Sequence, residues 1–355
     1  MPDTVLPQQI DLPIIDSPQA WYGPEQQTAS DWQYTLTAPE IAEIEGALAQ
    51  VGAVDILDID AAAFPLPNLT PRLGKIRQQV LHGRGFFLLR GLPIERYSVA
   101  EAARIFWGIG AHWGEPVSQN GKGHVLGHVK DLGLDYADPQ ARGYQTSARL
   151  PYHTDSSDIV CLLCLKKSRS GGLSSLVATT TVFNEMVRRR PDLAAVLMQP
   201  LYRTRWGEVP EGRKPYYGTP PFSLVDGRVI CTYVRSAVRK AQLMDAVPRI
   251  TPEQEEAMDL FDALANDPAL HLDMTFEPGD IQLACNHSVA HSRTAYEDFA
   301  EPEKRRHLLR LWLACDDGPA LPAAFTGEHQ GQTQSGRPDG IKVPGVPLVA
   351  PLEAE

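Results

Sequence analysis

Two short stretches lying far apart in this 355-residue chain constrain its fold most: residues 150–155, reading LPYHTD, and residues 286–293, reading NHSVAHSR. If their polar groups act together, the fold must bring both to one point. With His153 and Asp155 at the end of a β-strand, their two-residue spacing turns an imidazole and a carboxylate to the same face. His291 supplies a second imidazole. Two histidines and one carboxylate on one face of an octahedral metal leave positions open, as in non-haem Fe(II) oxygenase sites. A lone His-x-Asp is common by chance, so the pattern needs support from the rest of the chain.

That support comes first from the strand pattern. The apolar run IVCLLCL from 159 suits a strand buried on both faces, and the turn SRSGG and a second strand, SSLVATTTVF, follow without an intervening helix. Strand succeeding strand is an antiparallel signature. Residues 200–240 read as further strands, with Asp226-Gly227 as a hairpin turn. EPGD is a turn before IQLACNH, and HLLRLWLA, from His307, is a closing strand.

Helices flank this core. Thr37 with Glu40, Ser98 with Glu101 and Thr251 with Gln254 form capping boxes, which predict helices over 38–51, from 98 to about 110 and over about 251–265. Leu73, Ile76, Val80 and Leu81 mark another helix before the strand GFFLLRG. Two short helices are expected at about 182–199. Residues 1–36 form an arm anchored by Trp21, Tyr22 and Trp32, with a disordered tip, and 321–355 form a loop-rich tail lying on the surface. The glycine-rich stretch 114–149 is expected to line a pocket. Together these give a mostly β, α+β class protein: one catalytic domain over 37–320, with a double-stranded β-helix core (a cupin-like jelly roll) and helical insertions.

Composition excludes several functions. A net charge of −11 disfavours a nucleic-acid partner, whose phosphates require Lys and Arg. No apolar run reaches the ~18 residues a membrane span needs, and the acidic, proline-containing start lacks the form of a secretory signal. A cytoplasmic protein is expected. Five cysteines suit a reducing compartment. Cys161 and Cys164 form a CxxC only on paper, since they lie inside an apolar strand.

The segments LPYHTD, SGGLSS, EPGDIQLACNHSVAHSRTAYEDF and EKRRHLLRLWLA occur in an order that resembles the taurine dioxygenase-like (TauD/TfdA) group of Fe(II)- and 2-oxoglutarate-dependent oxygenases, over 114–314. The resemblance implies that His153, Asp155 and His291 bind iron. It further implies that Arg306 binds the remote carboxylate of 2-oxoglutarate and that Ser174 donates a hydroxyl to it. The implied reaction converts 2-oxoglutarate and O2 to succinate and CO2 while oxidising a C–H bond of a small-molecule substrate. Hydroxylation is the default outcome, because Asp155 retains the carboxylate that halogenating relatives lack. Arg310, four residues after Arg306 on a strand, faces the same way and joins that site or meets an anionic part of the substrate.

Other polar residues have weaker claims. Gln119, Asn120, Tyr144, Asp158, Tyr233, Arg235 and Arg293 lie on segments expected near the cavity mouth and are candidate substrate contacts. His287 and His291 have the spacing of a helical zinc pair, but position 288 is Ser where a metalloprotease needs Glu. His124, His128 and His307 read as structural histidines, and Trp312 as core. Two competing functions remain open here: a zinc-dependent hydrolase using the same His/Asp/His centre, and a catalytically silent jelly-roll binding protein. A homo-oligomer is also left open.

Overall fold

The run IVCLLCL is apolar because both of its faces are covered. In this computed structural model, which describes residues 11–134, 142–209, 212–325, 337–338 and 340–354, the strand Ile159–Lys166 lies between Ile281–Cys285 and His307–Ala314, antiparallel to both. Ile159, Cys161, Leu163 and Leu165 face a layer of helices, and Val160 and Cys164 face a second sheet. Cys161 and Cys164 therefore point to opposite sides of the strand and cannot pair. All five cysteines are buried free thiols.

The larger sheet runs Gln33–Thr35, Phe86–Arg90, Ile281–Cys285, Ile159–Lys166, His307–Ala314 and Glu115–Pro116, with Leu126–Val129 also pairing on His307–Ala314. The smaller runs His271–Met274, Ser174–Ala178, Val289–Arg293 and Leu150–His153, antiparallel throughout. Phe86, Leu88 and Trp312 from the first meet Leu176, Leu272 and Val289 from the second. The expected jelly roll is present. Asp226 and Gly227, both at positive φ, turn the hairpin Phe222–Val225 to Arg228–Cys231 as their sequence requires.

The N-terminal arm is more built-in than expected. It contains a short helix, α1 (Gly23–Thr28), and its strand Gln33–Thr35 pairs parallel with Phe86–Arg90. Trp21 Nε1 donates to the Arg84 carbonyl at 2.7 Å and Trp32 Nε1 to that of Gln26 at 2.8 Å. The expected disordered tip falls in residues 1–10, outside those described. Helices α2 (Ala38–Val51), α3 (Thr70–Leu81) and α4 (Val99–Ala111) cover the outer face of the larger sheet. At the start of α4, Ser98 N–H donates to Glu101 and Glu101 N–H to Ser98, the reciprocal cap expected.

Behind the smaller sheet, Tyr152, Val177 and Ala290 pack on α5 (Thr179–Arg189), α6 (Pro191–Leu197) and the later helix Pro252–Ala265. Two expectations need correction. The strand read as SSLVATTTVF stops at Ala178, and the threonines open α5. Thr179 N–H donates to Ser288 O at 2.9 Å, and Thr181 Oγ1 to Trp21 O at 2.7 Å, so tertiary contacts override β-propensity. The 200–240 stretch ends in a helix, α7 (Arg235–Ala241), which buries Ala237, Val238 and Ala241; Pro252–Ala265 is then α8.

The described part of the C-terminal tail docks on the fold. Ile341 N–H donates to Ser118 O at 2.8 Å, and Val125 N–H to Val349 O at 2.9 Å. His128 Nε2 donates to Pro351 O at 2.8 Å, which leaves the neutral ring's Nδ1 to accept from His307 Nε2, also at 2.8 Å. Both are structural, as expected. Burial, reinforced by the neighbouring His128, pulls His307 from the ordinary value of 6.5 to about 3. A histidine held neutral in the fold contributes stability that is present above the unfolded pKa and is lost as pH falls through the folded one. The melting temperature should therefore drop as pH is lowered from about 6.5 towards 3, and His307→Gln should drop less steeply. Identical slopes would remove this pair from the acid response.

Candidate metal centre and active site

The pairing of Leu150–His153 with Val289–Arg293 sets His291 directly opposite His153, with ring centroids 4.3 Å apart. His153 Nδ1 donates to the Pro151 carbonyl at 2.9 Å, so its Nε2 carries the free lone pair. That Nε2 lies 3.8 Å from Asp155 Oδ1, and His291 Nε2 lies 3.6 Å from Asp155 Oδ2. These separations exceed a hydrogen bond. One donor atom from each residue lies within 4.8 Å of the others, the only such cluster of three or more His, Cys, Asp or Glu among the described residues.

The strand ends at His153, so Asp155 is aimed by a loop and not by the strand pleat expected from the sequence. Asp155 N–H donates to Asn286 Oδ1 at 2.9 Å. Thr154 and Tyr233 are clamped together, Thr154 N–H on Tyr233 O at 2.9 Å and Tyr233 N–H on Thr154 Oγ1 at 3.0 Å. Trp312, read as core, is buried but also donates Nε1 to Asp155 Oδ2 at 2.9 Å. Burial raises the Asp155 pKa, but Arg310 and His291 outweigh it and hold the carboxyl well below the usual range. Burial lowers His153 to about 4, so this imidazole is neutral at pH 7. An ionised carboxylate and imidazole lone pairs converging on one point fit a divalent cation.

Two cavities meet here. The outer is lined by Tyr144, Trp206, Tyr217, Arg235, Trp312 and Ile341, among others. The inner runs between the sheets past Leu162, Ser174, Phe276, Arg293 and Arg306. Tyr144, Leu150, His153, Asp155 and Arg310 line both.

Arg306 is 5% exposed, and its Nη1 has no hydrogen-bond partner among the described residues. Ser174 lines the inner cavity and donates to Gln282 Oε1 at 3.1 Å, whereas Ser175 bonds Tyr152 Oη at 2.5 Å. The alternation of the strand thus separates the two serines. Arg310 lies 3.7 Å from Asp155 Oδ2 through Nη1, and its Nε donates to Gln119 Oε1 at 2.7 Å.

Of the seven candidate substrate contacts, the structure brings Tyr144, Arg235 and Arg293 to a cavity and places Gln119, Asn120, Asp158 and Tyr233 elsewhere. Gln119 seats Arg310, returning its Nε2 to the Arg310 carbonyl at 2.8 Å. Asn120 Oδ1 caps a turn through Lys122 N–H at 2.9 Å. Asp158 is fully buried on His287, Arg337 and Cys315, and Tyr233 is core, its hydroxyl on Asp262 at 3.0 Å. Arg235 reaches the outer cavity but its guanidinium is held at 2.5 Å by each of Glu255, Asp259 and Asp262. Arg293 Nη2 donates to the carbonyls of Thr146, at 2.8 Å, and Ala148. His287 turns to Asp158 at 2.7 Å, so it forms no metal pair with His291.

The sequence offered little warning of Trp206, Tyr217 and Ile341 as cavity residues. Trp206 sits at φ 57°, its ring flanked by Lys240 Nζ at 4.5 Å and the Arg142 guanidinium at 5.3 Å. Asn286 could have been suspected from its place in NHSVAHSR, although only the fold shows it holding Asp155.

Comparison with known proteins agrees with this geometry. The family model described as "Taurine catabolism dioxygenase TauD, TfdA family" matches residues 43–312. FR-33289 synthase of Streptomyces rubellomurinus (strain ATCC 31215) is 31% identical over 325 residues, covering 90% of this chain and 95% of that protein. The taurine hydroxylase-like protein SAT17 of Stachybotrys chartarum (strain CBS 109288 / IBT 7711) is 29% identical over 313 residues, covering 84% and 79%. Among solved structures, asparagine oxygenase in complex with Fe(II), 3-hydroxyasparagine and succinate superposes with a TM-score of 0.61 at 16% identity, covering 80% of this chain and 93% of that one. The non-haem iron oxygenase OrfP with Fe and alpha-ketoglutaric acid gives 0.58 at 16%, covering 79% and 94%. These two structures share its fold.

Trp312→Phe keeps the ring and removes the donor to Asp155. Losing such a support costs a metal site about 10-fold or more in affinity, and Fe(II) competition against a chelating dye should show this. An unchanged affinity would mean that Asp155 does not depend on Trp312.

Proposed function

The chain belongs to the TauD/TfdA dioxygenase family and is an Fe(II)- and 2-oxoglutarate-dependent dioxygenase; on that premise we propose how its residues divide the work. His153, Asp155 and His291 hold Fe(II). The observation that carries this is the convergence of their donor atoms at the one place where the two cavities meet. When bound, Fe(II) with 2-oxoglutarate and O2 supplies oxidation of a substrate C–H bond, hydroxylation by default, as the keto acid leaves as succinate and CO2.

The inner cavity takes the co-substrate. Arg306, buried with Nη1 unsatisfied, supplies the charge-assisted hydrogen bond for its remote carboxylate, and Ser174, which lines the same cavity, adds its hydroxyl by releasing Gln282. The apolar walls Val160, Leu162 and Phe276 keep water from competing for that contact.

The outer cavity takes a small-molecule substrate. Among the described residues Asp155 is the only carboxylate lining it, against Arg142, Arg235 and Arg310. Arg142 pairs with Glu208 at 2.5 Å and Arg235 with three acids, whereas Arg310 stands 3.7 Å from Asp155, beyond hydrogen-bond distance, and is the cation best able to meet an anionic group. Relatives named for taurine, which carries a sulfonate, and for uridine-5'-phosphate, which carries a phosphate, support that choice. The catalytic unit is 37–320, joined by the arm, whose strand adds to the larger sheet, and by the tail, whose Ile341 lines the outer cavity, and the cytoplasm is its compartment. Among the described residues no helix is long and apolar enough to cross a membrane. The zinc-hydrolase and silent-binder readings are not favoured: the family is a dioxygenase family, and the ligand set is intact.

The test is an anaerobic titration of the apoprotein with Fe(II) and 2-oxoglutarate, following the visible charge-transfer band of the chelate. Wild type should develop the band, and Arg306→Ala should need at least about tenfold more 2-oxoglutarate, the scale of one lost hydrogen bond to a charged group. Absence of the band in metal-loaded wild type would return the hydrolase reading. Asp155→Ala should lose iron-dependent succinate formation, and undiminished formation would sink the assignment of that ligand.

A further inference from the structure

Asp158 lies three residues beyond Asp155 and is fully buried, a costly place for a carboxylate unless its lone pairs are saturated. Its oxygens accept four donors. Oδ1 takes His287 Nε2 at 2.7 Å and Arg337 Nη2, and Oδ2 takes Cys315 N–H at 2.8 Å and Arg337 Nε at 3.1 Å. Burial pushes this carboxyl up, but His287 and Arg337 together hold it below the ordinary range.

The backbone around Asp158 ties the metal-bearing segments together. Its N–H donates to Leu313 O and its carbonyl accepts from Asn286 N–H, both at 3.0 Å. The Asn286 side chain accepts from Asp155 N–H at 2.9 Å and donates to Ser157 Oγ at 3.0 Å. One buried knot therefore joins the loop that aims Asp155, the turn before His291 and the end of the strand that carries Trp312.

Arg337 reaches this knot from the C-terminal segment. Its Nη1 donates to Pro319 O at 2.6 Å, and it packs so closely over Gly318 that a Cβ there would lie 2.3 Å from Nη2. A few residues on, Ile341 bonds Ser118 and contributes its side chain to the outer cavity wall beside Trp312. We propose that Arg337 is a positioning residue for the metal centre. By completing the donor set on Asp158 it fixes the loop from which Asp155 projects, and it makes one anchor serve both that loop and the tail wall at Ile341. The proposal rests on the metal assignment made above.

The experiment is a titration of the full-length apoprotein with Co(II), whose visible spectrum reports ligation without turnover, in wild type, Arg337→Ala, Arg337→Lys, Ile341→Ala and Val229→Ala. Arg337→Ala should bind Co(II) about 10-fold more weakly, the usual cost of losing a group that supports a ligand. Arg337→Lys, with a charge but no fork, should fall between, and it is the variant to read if Arg337→Ala fails to fold. Ile341→Ala opens the wall without touching the knot and should match wild type, as should Val229→Ala, a core truncation in the rear hairpin that controls for general destabilisation. Wild-type affinity in both folded Arg337 variants overturns the proposal, as does an equal loss in Val229→Ala. Failure of wild type to bind Co(II) overturns the metal assignment itself, and this proposal with it.

Discussion

The site depends on one strand register. Because the side-chain period of a strand is two, a one-residue slip of Leu150–His153 against Val289–Arg293 would turn His153 to the other face. The register is held from both sides. Val177 and Ala290, on the rear face, are locked into the helical layer with Tyr152, and Leu176 and Val289 are locked between the sheets. Pro151 sits on the outermost strand of its sheet, where a missing N–H leaves no ladder bond unmade, and its carbonyl orients the His153 ring. Packing on two faces thus sets the position of one imidazole opposite another.

Charge is distributed to match. Positive side chains reach the cavities from several elements, but most are already neutralised: Arg142 by Glu208 and Arg235 by the acids of α8. Arg306 and Arg310 are treated differently. Arg310 is seated by the neutral Gln119 and stands 3.7 Å from Asp155, too far for a hydrogen bond, and Arg306 has Tyr296 5.1 Å from its guanidinium. Their charges are kept available at a desolvation cost that an anionic ligand offsets.

What could be read from the chain follows the range of the interactions involved. The jelly-roll class, the first helical caps and the Asp226-Gly227 hairpin were legible because local residue chemistry or short periodicity carries them, whereas the meeting of His153, Asp155 and His291 was legible only through the order of motifs that resembles a known family. The threonines of α5 were misleading, since a β-branched run gives no sign that Trp21 and Ser288 will recruit it into a helix. α7 was hidden for a similar reason, its seven residues being too few to establish a helical period. The role of Asp158 was out of reach, because three of its four donors come from Arg337 and Cys315, far along the chain, and the fourth from a histidine whose spacing suggested a metal ligand. Trp312 looked like core because it is core, with one polar atom put to use.

The tail brings order of synthesis into the picture. A ribosome delivers His153, Asp155 and His291 well before Arg337, so the nascent chain holds every metal donor while Asp158 still lacks its fork and the cavity lacks the Ile341 wall. Since a domain folds as a unit, the role proposed for Arg337 means that the loop carrying Asp155 gains its full set of supports only after that arginine has been made.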